Sequence, residues 1–231
     1  TLVLNAANGY TGGTVLNGGK LVVGNDAALG SGVLTAADGS ALDSNTAVSL
    51  GNDVVLNGGL NVAGSNALTL NGVVSGAGSL NKTGAANLTL NGSNSYSGGT
   101  ALNGGTLMLG NNGALGSGAL VAAAGTTLDS NSAMALANNL VLNGGLNLAG
   151  SNALTLDGVV SGSGSLIKNG ASSLTLNANN SYSGGTVLNG GTLVLGNNAA
   201  LGSGALVVAS GTTLDSSNTT NLANSVDLNG S

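Results

Sequence analysis

Histidine, cysteine, proline, tryptophan, phenylalanine, glutamate and arginine are all missing from this chain of 231 residues. Each absence removes some chemistry. Without His or Cys there can be no Ser-His or Cys-His nucleophile pair and no zinc site built on those ligands. The ionisable side chains are eight Asp, three Lys and three Tyr. Three cations and a net charge of −5 argue against nucleic-acid binding, which needs Lys and Arg against phosphate. No apolar run approaches the ~20 residues that would span a bilayer as a helix. Absence of cysteine fits a reducing cytosol and an oxidising compartment alike, so it does not place the chain. Aromatic residues make up 1%, which leaves few of the large side chains that anchor an ordinary globular core.

What is present is aliphatic, small and repeated. Hydrophobic residues make up 42%, too many for a charged, aliphatic-poor disordered chain, and 43 residues are Gly. The block NGSNSYSGGTALNGGTLMLGNN at 91–112 returns as NAANGYTGGTVLNGGKLVVGND at 5–26 and as NANNSYSGGTVLNGGTLVLGNN at 177–198. Tyr10, Tyr96 and Tyr182 are 86 residues apart, and so are Asp43, Asp129 and Asp215. A fixed period of this kind indicates a solenoid, propeller or array. Inside the unit, LNGG recurs at Asn17, Asn57, Asn103, Asn143 and Asn189, with spacings alternating between 40 and 46 residues. Each unit is therefore a rough duplication, and a further halving gives about 20–23 residues, one coil of a β-solenoid.

Local patterning agrees. Short aliphatic runs such as LVL at 2–4, LTL at 88–90 and LTL at 174–176 are bounded by Gly, Asn, Ser or Asp, which read as turns. Helix is disfavoured because interior glycine costs about 1 kcal/mol relative to alanine at each position. The expected fold is all-β, a right-handed parallel β-helix with leucine ladders inside and asparagine ladders at the turns, the latter akin to stacked cross-β amides. Four coils per unit would advance roughly 19 Å. The domain reading is a single segment, 1–231, with a partial unit 1–87, a full unit 88–173 and a partial unit 174–231. It starts and stops inside a unit without a cap, the expectation for a piece of a longer chain.

The segments VVSGAGSLNKTGAANLTLNGSNSYSGGTALNGGTLMLGNNGALGSGAL at 73–120 and VVSGSGSLIKNGASSLTLNANNSYSGGTVLNGGTLVLGNNAALGSGAL at 159–206 resemble the passenger-associated transport repeat of autotransporter passengers. The ordered set SGxGSL, lysine, LTLN, YxGGT, NGGxL and LGSG carries the resemblance, and the first copy is caught from its LVLN onward. One departure is Lys20 where Thr106 and Thr192 stand. The resemblance implies a β-helical passenger segment of a surface or secreted protein of a Gram-negative bacterium, a stalk that assists passage through the outer membrane. It implies neighbouring passenger repeats and an outer-membrane β-barrel as partners. The alternative is a rod whose own face binds glycan, matrix protein or a like rod on another cell.

The remaining candidates are weighed against plainer roles. Glycoside hydrolysis needs two carboxylates around one bond, and Asp43, Asp129 and Asp215 are each a unit apart. Calcium needs a denser carboxylate pattern than this one, so neither an enzyme nor a cofactor or metal protein is expected. Asp129 reads as a turn aspartate accepting backbone amides. Tyr10, Tyr96 and Tyr182 read as rings covering a coil edge with the hydroxyl toward solvent or backbone. Asn17, Asn103 and Asn189 read as turn formers, and Lys82 and Lys168 as solvated outward residues. The paired threonines Thr126–Thr127 and Thr212–Thr213 recur too sparsely for an ice-binding grid.

Overall fold

The computed structural model describes residues 1–229. It is all-β: the described residues form strands of two to five residues and no helix. The contacts divide the chain into two compact units, Thr1–Ala119 and Leu120–Ser231, and each is a parallel β-solenoid.

In the first unit the strands fall on three parallel sheets. One sheet stacks Leu2–Leu4, Lys20–Val23, Ala41–Ser44, Leu60–Val62, Leu80–Lys82 and Thr100–Leu102. A second stacks Val48–Leu50, Leu68–Leu70, Leu88–Leu90 and Thr106–Leu109, and a third Thr14–Leu16, Leu34–Ala36, Val54–Leu56 and Val74–Ser75. Following the chain from Val48, it visits the second, third and first sheets in rotation, so one coil contributes up to three short strands. The second unit is built the same way. There Leu140–Leu142, Leu146–Leu148 and Leu154–Leu156 lie on three different sheets in succession.

Most strands bury their first and last residues and turn the middle one outward. A three-residue strand with that alternation puts two aliphatic side chains into the interior per face. Register then stacks like on like: Leu68 against Leu88 against Leu107, and Leu70 against Leu90 against Leu109. All six are essentially inaccessible to solvent. Burying each contributes roughly 1.5–3 kcal/mol, which is how a core without Phe or Trp is assembled.

The registers advance by 19 to 21 residues per coil, at the lower end of the expected 20–23: Leu2 pairs with Leu21, Lys20 with Ala41 and Leu60 with Leu80. This corrects the expectation of four coils per 86-residue unit. The inward column Leu2, Leu21, Leu42, Val62, Lys82 closes four turns in 80 residues. Leu88, the sequence equivalent of Leu2, stands six residues further on and opens a strand of the next sheet. The unit is therefore four and about a third turns. Thr14–Leu16 and its copy Thr100–Leu102 likewise occupy different sheets of the first unit. In the second unit Thr126–Ser130 and its copy Thr213–Ser216 do the same. Sequence-identical features are thus presented on successive faces.

The 22-residue block now has a structural meaning. Around Tyr10 and again around residues 27–30 the chain leaves strand geometry, and these two irregular stretches stack on one another: Asn8 N–H donates to Ala27 O at 3.0 Å and Ser31 N–H to Tyr10 O at 3.0 Å. The same clasp recurs as Asn94 to Gly113 (3.0 Å) and Ser117 to Tyr96 (3.0 Å), and as Asn180 to Ala199 (3.1 Å) and Ser203 to Tyr182 (3.0 Å). Glycine is required where these backbones meet. At Gly118 a Cβ would lie 2.3 Å from Gly99 N, a distance no side chain can occupy.

Candidate functional site

The repeated chemical groups are the lysine, tyrosine, aspartate and asparagine that return with every unit. In the SLNK strand Leu80 and Lys82 take the two inward positions and Asn81 the outward one. Lys82 is 0% exposed and Lys168 1%, so the expectation of solvated outward lysines is wrong. The cause lies in the coil bends. Lys82 Nζ donates to Gly84 O and, at 3.1 Å, to Gly104 O of the next coil, and Lys168 repeats this with Gly170 O and Gly190 O (3.2 Å). The ammonium satisfies carbonyls that the bend leaves without amide partners, which is what makes its burial tolerable. Desolvation pushes both lysines below their ordinary pKa.

Tyr96 and Tyr182 are likewise fully buried, which corrects the picture of a hydroxyl turned to solvent or backbone. Their hydroxyls bond the Oγ1 of Thr100 (2.5 Å) and Thr186 (2.6 Å). Burial pushes both phenols up to about 12, and the threonine bond only partly offsets it. Tyr10 keeps the same bond to Thr14 Oγ1 at 2.7 Å but is 37% exposed. Two buried rings and one half-covered ring do not form an exposed platform for stacking sugars. They fill the interior where the irregular segment replaces a strand.

Asp43 and Asp129 are the penultimate residues of strands rather than turn residues, and both collect donors from the following coil. Asp43 accepts from Ser44 N–H (2.9 Å), Ser65 N–H (3.0 Å) and Ser65 Oγ (2.8 Å); Asp129 accepts from Ser151 N–H (3.1 Å) and Ser151 Oγ (2.6 Å). Asp215 is exposed and accepts from Ser216 N–H at 2.7 Å. Asp43 alone has a cation, Lys20 at 2.5 Å, because the first copy carries lysine where the others carry threonine. Burial alone would raise the Asp43 pKa. The Lys20 ammonium and the three Ser donors outweigh it and hold the group at about 2. A depressed carboxylate stabilises above its unfolded pKa near 3.8 and loses that contribution as pH falls toward 2. Between these limits the wild-type chain is expected to lose up to about 2 kcal/mol. Asp43→Asn should flatten this segment of the stability–pH curve in denaturant titrations, and an unchanged slope would contradict the assignment.

The LNGG asparagines Asn17, Asn103 and Asn189 are exposed at coil corners. Asn103 and Asn189 each send the backbone N–H to the carbonyl of a buried lysine, Lys82 and Lys168, at 2.8 Å. Sequence reading passed over a second asparagine in each block. Asn94 is buried, accepts from Val74 N–H at 2.7 Å and donates to Ala114 O at 2.6 Å, so one side chain ties three coils. Asn180 repeats it with Val160 and Ala200, both at 2.7 Å. The signal was there in NSY, where the asparagine two residues before each buried tyrosine recurs with it. Thr126 is buried and donates to Ala123 O at 2.7 Å, so the threonine pairs do not form a flat surface grid. Among the described residues no three metal-ligating carboxylates converge.

The fold and these positions define a structural repeat protein, a parallel β-solenoid in which buried lysine, asparagine and aspartate side chains knit coil to coil. The passenger-associated-transport-repeat family matches at residues 1–23, 80–109 and 166–195, so these three segments are similar to that repeat. The later two matches contain the buried Lys82 and Tyr96, and Lys168 and Tyr182. Repeat-like segments and solenoid together fit the structural repeat of an autotransporter passenger, and this likeness points to an exported surface protein. No curated protein and no solved structure matches the chain.

Proposed function

We propose that the chain is a stalk-forming, secretion-promoting segment of an autotransporter or adhesin-like protein, exported through the outer membrane of a Gram-negative bacterium and carrying no enzymatic activity. The observation that carries this reading is the register: every paired strand bonds to strands about 20 residues away, so each coil depends only on its neighbours. A chain emerging end-first can fold one coil at a time. Each finished coil resists slipping back, so folding biases export without an external energy source. The partners in this reading are neighbouring passenger repeats and the membrane β-barrel of the parent protein. The inward use of Lys82 and Lys168 and of Tyr96 and Tyr182 supports a stalk over a binding rod, because recognition needs exposed aromatic or charged anchors.

The test removes residues 88–173 from the full-length parent and scores surface export and cell adhesion separately. Copies are equivalent at this offset, so the join recreates native coil neighbours. A small graded loss of both is expected. Normal export with abolished adhesion would mean that the rod's own face binds a ligand, and the stalk reading would fail.

A further inference from the structure

An asparagine followed by glycine is open to attack by the glycine amide nitrogen on the asparagine Cγ, because no Cβ hinders the approach. Among the positions of this dipeptide are the corners Asn17, Asn57, Asn103, Asn143 and Asn189, together with Asn71, Asn91 and Asn169. The structure divides them into two groups. Asn189 Nδ2 donates to Asn169 Oδ1 at 2.9 Å, and Asn169 Nδ2 to Asn147 Oδ1 at 3.3 Å. Asn91 Nδ2 donates to Asn71 Oδ1 at 2.8 Å, and Asn71 Nδ2 to Ser49 Oγ at 2.8 Å. The exposed side chains of Asn17, Asn57, Asn103 and Asn143 have no such clamp.

Asn103 and Asn189 make a controlled pair, since both stand in the sequence LNGGTL. The position one coil earlier differs: register puts Thr83 next to Asn103 and Asn169 next to Asn189. Thr83 Oγ1 is turned to Val62 O at 3.2 Å.

We propose that Asn17, Asn57, Asn103 and Asn143 are sites of spontaneous deamidation in the folded protein, and that stacking protects Asn71, Asn91, Asn169 and Asn189. The step needs only water. The glycine nitrogen forms a bond to Cγ and gives up its proton, and the side-chain nitrogen leaves as ammonia. Water then opens the five-membered imide at either carbonyl, giving aspartate or isoaspartate. Four such events take the net charge from −5 to −9, all of it added at coil corners. At Asn103 the isoaspartate product inserts a backbone carbon beside Gly104, whose carbonyl accepts from Lys82 at 3.1 Å. That corner then loses the lysine clasp and becomes open to proteolysis.

The experiment incubates the purified chain at mildly alkaline pH and follows each asparagine by peptide mass mapping and isoaspartate labelling. Asn103 is expected to convert about fivefold faster than Asn189, the factor that one net hydrogen bond carries. In urea the two should converge, because their local sequence is the same. Asn169→Ala should raise Asn189 to the rate of Asn103, and Thr83→Asn should slow Asn103. Equal folded-state rates, or an Asn189 rate unmoved by Asn169→Ala, would overturn the proposal.

Discussion

Leu90→Asn is expected to remove about 4 kcal/mol or more of stability and to open the first unit to protease around residues 70–110. Leu90 is 0% exposed and lies between Leu70 and Leu109 in a continuous inward column. Losing a buried leucine side chain costs roughly 2–5 kcal/mol through lost transfer energy and an unfilled cavity. An amide placed there meets only aliphatic neighbours on its own sheet, and an unsatisfied buried polar group adds about 1–3 kcal/mol. The defect should not stay local in its consequences, since a solenoid propagates stability from coil to coil. Denaturant unfolding followed by circular dichroism, with limited proteolysis to locate the opening, measures both parts. An unchanged midpoint would mean that Leu90 does not occupy the column.

Gly78→Val is expected to be comparably damaging for the opposite reason. A Cβ on Gly78 would sit 2.0 Å from Gly58 O, and one on Gly98 would sit 2.5 Å from Gly78 O, so three coils meet backbone to backbone at this bend. Nothing flexible lies in the way; the Gly58 carbonyl of the preceding coil would have to move and would drag its register with it. Overpacking of this kind costs typically 1–3 kcal/mol and more where backbone must shift, and about 3 kcal/mol is expected here. Gly51 is the comparison, with open space around its would-be Cβ and no positive φ. Gly51→Ala should be neutral, or stabilise by about 0.4–1 kcal/mol by restricting the unfolded chain. A Gly78→Val chain as stable as wild type would contradict the close approach of the bends.

The strands and ladders were legible because three-residue aliphatic runs between Gly and Asn leave little else to build. The phase of the repeat was not legible, although its signal was present. The offset of 40 residues from Asn17 to Asn57 is two whole turns, and the 46 from Asn57 to Asn103 is two turns plus one face. Dividing 86 evenly by four erased that distinction. The lysines were misjudged because a charge suggests solvent, whereas the alternation in SLNK already put Lys82 on the same side as Leu80. What sequence could not supply was the acceptor set, Gly84 O and Gly104 O, which exists only once two coils are stacked. The tyrosine hydroxyl partners, by contrast, lie four residues downstream in every copy, at Thr14, Thr100 and Thr186, and were within reach of pattern alone.

The fold depends on coils that stack at a register of about 20 residues, and the absence of cysteine makes that register directly measurable. Thr69 and Thr89 are paired outward neighbours on adjacent parallel strands, as are Thr155 and Thr175 in the second unit. Adjacent strands lie about 4.8 Å apart, within the 4.4–6.8 Å that a disulfide spans. Under mild oxidation the double variants Thr69→Cys/Thr89→Cys and Thr155→Cys/Thr175→Cys should each close an intramolecular disulfide while Ala67→Cys/Thr89→Cys does not. Crosslinking at the 67–89 pair instead, or at neither, would contradict the stacked-coil account.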